Sequence, residues 1–293
     1  MTEAIKSSPQ TPGTSSIGRV SWIKSFGQAP WTSQFGLLVI TAYALVAIFA
    51  PLLAPFGEIE IVGDHYEPWS EEFILGTDNI GRDMLSRLIY GARNTVGIAF
   101  TITVLAFVIG ALTGLLAATL GGWIDHVMSR IVDVLMAIPG LVFILLVLAI
   151  FGTEIPVLII VIALFESTRV FRLSRAVAMN IEVMDYVEVA KLRGENLWWV
   201  IRREILPNVM APLVAEFGVR FTYTFLFIAA LSFLGLGIQP PIADWGSMVR
   251  ENSVLITFSD FTPLMPAAAI ALLTVSVNFV IDWILHKSSG LKD

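Results

Sequence analysis

The sequence predicts an all-α membrane protein with six transmembrane helices, and three observations support this fold class. Of the 293 residues, 56% are hydrophobic and only 14% are charged, with a mean hydropathy of +0.79. This composition is more apolar than that of soluble globular domains. Uncharged stretches are long enough, at about 1.5 Å per residue, to cross a hydrocarbon core of roughly 30 Å. Charge is concentrated between those stretches, above all in residues 185–208.

The N-terminal segment, residues 1–35, is rich in Ser, Thr, Pro, Gly and Gln and predicts a disordered cytoplasmic tail. A cleavable signal peptide is the weaker alternative, because its apolar stretch would lie closer to the terminus. Residues 36–93 form the next unit, in which residues 37–55 are the first span. Residues 56–93 hold eight acidic residues and three arginines, and predict an extracytoplasmic loop that ends in a surface helix.

The main transmembrane unit is predicted to cover residues 94–285. In its first span, residues 95–120, small side chains recur at every fourth position and would let another helix approach closely. These are Ala106, Gly110, Gly114 and Ala118. The third span of the chain, residues 128–151, is expected to kink at Pro139-Gly140.

The fourth span begins at Pro156 and is apolar only as far as Phe165. Charged side chains then follow at three-residue steps and predict its cytoplasmic end: Glu166, Arg169, Arg172 and Arg175. Residues 209–234 and 264–285 are the fifth and sixth spans. Between them, residues 235–263 predict a loop, which in one interpretation dips back toward the bilayer, and residues 286–293 predict a cytoplasmic tail.

Orientation follows from the Lys and Arg residues of the connecting segments. With both termini inside, the six-span topology places 13 Lys and Arg residues on the cytoplasmic side and 4 outside, with Arg220 within a span. The charged segment 182–208 is therefore expected in the cytoplasm.

That segment predicts two short helices that bend at Gly194, the second of them stopped by Pro207. Apolar residues three apart would give each helix one apolar stripe: Val187 with Ala190, and Trp198 with Ile201. Such a bent pair suits docking into a groove of another protein. A solvated interfacial loop is the alternative interpretation.

Glu188-Val189-Ala190, followed by Gly194 and by Ile205-Leu206-Pro207, resembles the EAA coupling loop of ATP-binding-cassette importer permeases. Three further stretches are similar to the C-type subunit of the dipeptide/oligopeptide permease family. They are LGTDNIGRDMLSRLIYGAR (75–93), LSFLGLGIQPP (231–241) and DWGSM (244–248). Together the resemblance spans residues 75 to about 282. Two positions depart from the family pattern: Val189 replaces an alanine, and Ile228 replaces a glutamate, which leaves the substrate class open.

The resemblance implies the type I importer permease fold and a place in the bacterial cytoplasmic (inner) membrane. It implies four kinds of partner besides membrane lipid: a second homologous permease subunit, two cytoplasmic ATPases and an extracytoplasmic solute-binding protein. The coupling residues would be Glu188, Val189, Ala190, Gly194, Ile205, Leu206 and Pro207. The cargo would be a peptide or a similar small solute, with nickel chelates, opines and sugars as alternatives.

Ionisable and polar groups within the spans are candidates for the transport pathway, because they are costly in a bilayer. Glu216 and Arg220 lie four residues apart and either line the pathway or form a structural ion pair. Asn278 is a further candidate, whereas Asp282 is expected to face water or a partner. Milder candidates are Thr222, Tyr223, Thr224 and Ser232.

Several other functions lack the residues that they need. The sequence has no GxxxxGK[ST] motif, so ATP hydrolysis is expected from partner subunits and not from this chain. No nucleophile motif predicts catalysis, and the absence of cysteine together with the wide spacing of His65, His126 and His286 predicts no metal site and no cofactor. A net charge of −6 argues against nucleic-acid binding. An ion-coupled secondary transporter or a purely structural membrane subunit are the rivals, and the former would show charged groups on broken helices at the membrane midplane.

Overall fold

A computed structural model describes residues 29–258 and 260–289, with side chains as far as residue 286, and this part of the chain is built from α-helices. In chain order the helices are α1 (Trp31–Leu53), α2 (Met84–Gly91), α3 (Gly97–Leu120), α4 (Gly122–Ala137), α5 (Gly140–Phe151), α6 (Ile155–Glu182), α7 (Asp185–Leu192), α8 (Leu197–Val200), α9 (Leu206–Phe233), α10 (Trp245–Asn252) and α11 (Leu264–Ser289).

Within the described residues, four helical segments are long and apolar enough to cross a membrane. They are Trp31–Leu53, Met84–Leu120, Leu197–Phe233 and Leu264–His286. The pair α4 and α5, which is bent by 89° at Pro139, is a fifth if it counts as one broken span. Helix α6 is also long enough, but Glu166, Arg169 and Arg172 interrupt its apolar run.

Two of these segments are longer than the sequence predicts, because a π-helical turn joins two α-helices in each. Residues Ala92–Val96 join α2 to α3, so residues 84–91 do not form a separate surface helix. Residues Ile201–Ile205 join α8 to α9, so the prediction that Pro207 stops the helix was wrong. Pro207 lies in the first turn of α9, where a missing N–H leaves no α-helical hydrogen bond unmade.

The small-residue stripe of α3 packs against α6, which confirms that this face contacts another helix. A Cβ at Gly110 would lie 2.5 Å from the Ser167 carbonyl oxygen, and one at Gly114 would lie 2.7 Å from that of Phe171. Both glycines are therefore needed for the close approach of the two backbones.

The helix ends differ from the predicted boundaries at both termini. Helix α1 begins at Trp31 and not at residue 37, so the last residues of the predicted tail are helical. Helix α11 continues to Ser289, beyond the predicted end of the sixth span. The rest of the predicted tails, residues 1–28 and 290–293, lies outside the described residues.

The predicted loop 235–263 contains a helix of its own. Asp244 caps α10 by accepting a hydrogen bond from the Ser247 N–H at 2.9 Å. A second hydrogen bond, from Thr95 Oγ1 at 2.8 Å, fixes the other carboxylate oxygen to the start of the second long segment. Burial raises the pKa of the Asp244 carboxyl, while these hydrogen bonds act in the opposite direction. The adjacent Trp245 packs so closely on α2 that a Cβ at Gly91 would lie 2.5 Å from its ring.

Candidate functional site

The segment between α6 and α9 has the bent form that its sequence predicts. Helix α7 ends before Gly194, which adopts a φ of +80°, and α8 begins after the Asn196 side chain has accepted a hydrogen bond from the Trp199 N–H at 2.8 Å. Apart from the residues next to it in the chain, no described residue has an atom within 4 Å of where a Gly194 Cβ would stand. Close approach of the two helices therefore does not explain this glycine, whereas its left-handed backbone conformation does.

One face of the segment is anchored in the helical bundle. Val187 and Ala190 have no exposed surface, as the predicted stripe requires. They belong to a buried cluster with Ile205 at the end of the π-helical turn, Val209 at the start of α9 and Leu115 near the end of α3. The cluster therefore joins the segment to both long helices.

The opposite face of the segment is exposed and carries both apolar and charged side chains. Leu192 is 80% exposed and Val189 is 52% exposed. Trp198 is 55% exposed, whereas Ile201, with which it forms the predicted apolar stripe, is buried. Glu188 is also exposed, and it does not pair with Arg193, whose guanidinium lies 5.8 Å from the centre of the Trp199 ring.

The remaining predicted coupling residues include both buried and exposed side chains. Ile205 is fully buried, Leu206 is half-buried and Pro207 is exposed. The side chains of Glu188, Val189 and Leu192 are therefore exposed near the bend, whereas Ile205 belongs to the buried cluster.

A second group of polar side chains lies on α9 and α6. Arg220 Nε is 2.6 Å from Glu216 Oε1, and Arg220 Nη1 is 3.6 Å from Glu166 Oε2. The guanidinium also lies 5.1 Å from the centre of the Tyr223 ring. The predicted pairing of Glu216 with Arg220 is present. Glu166 is a third member of this charged cluster, whereas its sequence position predicts only the end of a span.

The other predicted pathway residues do not gather around this charge cluster. Thr222 Oγ1 donates to the Gly218 carbonyl, and Asn278 on α11 is exposed and donates to the Thr274 carbonyl. Thr224 is buried, and its hydroxyl finds no hydrogen-bond partner among the described residues. Ser232 is buried and accepts from the Ile238 N–H, and Asp282 is exposed. Ile228, where the resemblance described above implies a glutamate, is fully buried in the apolar core.

A second cluster of four charged side chains, largely buried, was not predicted from the sequence. Asp78 is fully buried and lies 2.6 Å from Arg82 Nε and 3.2 Å from Arg87 Nε. Both arginines also approach Glu251 on α10, at 3.4 and 3.5 Å. The cluster ties the segment before α2 to α10. Its only signal in the sequence is the local spacing of Asp78, Arg82 and Arg87, because Glu251 is far away in the chain.

Comparison with known proteins gives consistent results. The family model described as "Binding-protein-dependent transport system inner membrane component" matches residues 107–288. The dipeptide transport system permease protein DppC of Alkalihalophilus pseudofirmus is 33% identical over 277 residues, which cover 90% of this chain and 89% of the relative. The di/tripeptide transport system permease protein DppC of Pseudomonas aeruginosa is 34% identical over 265 residues, covering 88% and 85%.

A solved structure supports the fold. The crystal structure of an amino acid ABC transporter with histidines matches with a TM-score of 0.50 and 20% sequence identity. The match covers 68% of this chain and 92% of the transporter chain. At this identity the likeness concerns the helical fold alone.

Proposed function

Because the chain belongs to the family of binding-protein-dependent transport system inner membrane components, we propose that it is the permease subunit of an ATP-driven importer. It is a multi-pass membrane protein that translocates solute, and ATP hydrolysis takes place on partner subunits. Binding of ATP would close two cytoplasmic ATPases, which carry the docked segment 182–208 with them and so alternate the access of the solute to the two sides.

The two-faced segment around Gly194 is the observation that carries this proposal. Val187 and Ala190 are buried in a cluster that also contains Leu115 of α3 and Val209 of α9, while Val189 and Leu192 on the same short helix are exposed. A solvated interfacial loop has no need of such an anchor. A helix that is moved by a docked partner and transmits this motion to two long helices needs an exposed face for the partner and a buried face against the bundle.

The proposed cargo is a peptide or a similar small solute. Two relatives that match most of the chain are named for dipeptide and di/tripeptide transport. Ile228 has a hydrocarbon side chain and is buried, so it offers the cargo no polar contact. Peptide selection would then depend on the extracytoplasmic binding protein, with which a second permease chain and two ATPases would complete the assembly.

We further propose six spans with both termini in the cytoplasm, by adding α6 and the bent pair α4–α5 to the four uninterrupted segments. Two ion pairs between helices support this grouping. Arg87 at the start of the second long segment approaches Glu251 on α10, and the topology assigns both residues to the outer side. Arg175 near the end of α6 pairs with Asp125 on α4, and both residues are assigned to the inner side.

Co-purification of the ATPase tests the proposal. Leu192→Asp places a charge on the exposed face of α7 without touching the buried anchor, and should abolish retention of the ATPase by the permease at normal membrane abundance. Ile59→Asp is a matched control, because Ile59 is 58% exposed and lies in the segment assigned to the outer side. Equal ATPase retention by both variants would contradict the proposed docking face. Solute uptake by vesicles that hold no ATPase would favour an ion-coupled transporter instead.

A further inference from the structure

An apolar groove runs along the outside of the bundle between α3, α8 and α9. It encloses about 560 Å³. Its walls include Phe107 and Leu112 from α3 and Met210 and Val214 from α9. Arg202 is the single charged residue among the side chains that line it.

The length of the groove along α9 is close to the hydrocarbon thickness of one membrane leaflet. Along α9 it extends from Leu206 to Phe217, which corresponds to about 16 Å at about 1.5 Å per residue. The hydrocarbon core of a bilayer is roughly 30 Å thick, so the groove spans about half of it. Its Arg202 end lies in the charged segment that connects α6 and α9, and its Phe217 end lies within a span.

The Arg202 end of the groove has the residues of a membrane–water interface. Trp198 lines the groove there and is half exposed, and tryptophan favours the level of the lipid headgroups. Arg202 is exposed, and none of the ion pairs between described residues includes it. A guanidinium binds phosphate through paired N–H donors.

We propose that this groove binds an anionic glycerophospholipid, with one acyl chain along the apolar walls and the phosphate at Arg202. The distribution of charge along the groove favours this occupant. A cation at the surface end and apolar side chains along the whole depth match a phospholipid of the inner leaflet, and basic pockets between membrane helices bind anionic headgroups. Ile201 and Leu206 also line the groove, so the lipid would contact the π-helical turn that joins the coupling segment to α9. The proposal does not depend on the docking of an ATPase.

Native mass spectrometry of the purified full-length chain with its partner subunits tests this site. The delipidated complex is titrated with dioleoyl phosphatidylglycerol or with dioleoyl phosphatidylcholine, which differ only in the headgroup. Wild type should bind phosphatidylglycerol more tightly, and Arg202→Gln should weaken that binding about fivefold without changing the binding of phosphatidylcholine. Arg203→Gln is the matched control, because Arg203 is the exposed neighbour that does not line the groove.

A second variant and a cross-linking measurement identify the occupant. Ala111→Phe fills the apolar part of the groove and should weaken the binding of both lipids. The native chain has no cysteine, so Val214→Cys can carry a single photoactivatable cross-linker. In membranes of the assembled complex it should form an adduct with phospholipid. An adduct with another protein chain, equal affinities of wild type and Arg202→Gln, or an equal loss in Arg203→Gln would each overturn the proposal.

Discussion

Arg220 on α9 reaches Glu166 on α6, with Nη1 3.6 Å from Oε2, while its Nε holds Glu216 one turn earlier on its own helix. The three side chains are largely buried, with 12%, 10% and 21% of their surface exposed. One guanidinium therefore pairs with two carboxylates from different helices. Arg220 thus joins α6 to α9, and its two partners are not equivalent.

The first prediction is that Arg220→Gln is more damaging than Glu216→Gln. The arginine variant leaves two mostly buried carboxylates without their shared cation, at a cost of about 2–4 kcal/mol. Glu216→Gln leaves Arg220 beside Glu166 and should cost about 1 kcal/mol. Thermal stability and yield of the purified complex measure both, with the exposed Arg203→Gln as control.

The opposite order of the two variants would show that Glu166 does not hold Arg220. If instead both variants assemble normally and only solute uptake falls, the cluster lines the transport pathway. Measuring uptake and yield on the same preparations separates a structural role from a transport role.

The second prediction concerns the buried cluster at the outer side. Asp78 has no exposed surface and contacts two arginines while it accepts hydrogen bonds from two backbone N–H groups at 3.0 Å, those of Ile80 and Arg82. Asp78→Asn leaves the arginines short of a counter-charge and should lower the stability by about 3–5 kcal/mol. Glu72→Gln, at an exposed position of the same segment, should change it by less than about 0.5 kcal/mol. A thermal shift assay on the purified complex compares the two variants, and equal melting temperatures would contradict the role given to the cluster.

The third prediction is topological. A cysteine in place of exposed Ser70 should react with an impermeant thiol reagent added to intact spheroplasts, whereas one in place of exposed Leu192 should react only after the membrane is opened. The native chain supplies no competing thiol. Leu192 is preferable to Asn196 because the Asn196 side chain caps α8. Labelling of Leu192→Cys from the outside would invert the proposed orientation.

The parts of the fold that the sequence predicts are those controlled by local pattern. The four-residue repeat of small side chains on α3 and the bend at Gly194 depend on residues within a few turns, so both are visible in the chain. Contacts between distant residues are not visible in this way. Glu166 and Arg220 are separated by the whole coupling segment, and nothing in either sequence neighbourhood indicates that α6 brings them together.

Predictions from a few neighbouring residues were wrong where the surrounding fold imposes another conformation. Pro207 is a helix terminator when it is considered alone, yet it occupies the first turn of α9, and the π-helical turn before it keeps the helix continuous. The amphipathic pattern of residues 83–93 predicts a surface helix, but Arg87 is buried beside Glu251 of α10, and Gly91 lies against Trp245 of the same helix. In both cases tertiary packing decided the outcome.

The measurement that tests the central claim most directly is solute-stimulated ATP hydrolysis, together with uptake, by the reconstituted complex that carries Gly194→Val. The φ of +80° at Gly194 is unfavourable for a β-branched residue by about 1–3 kcal/mol, although the position has free space around it. Glu188→Lys, on the exposed face of the same segment, should have the same effect less severely. Gly152→Val is the matched control, because Gly152 has a φ of +89° and equally free space but lies outside the coupling segment.

The account predicts that Gly194→Val inserts at normal abundance and loses stimulated hydrolysis and uptake together, while Gly152→Val retains both. Full stimulated hydrolysis and uptake by Gly194→Val would contradict the claim that the bent segment couples the ATPase to the membrane helices.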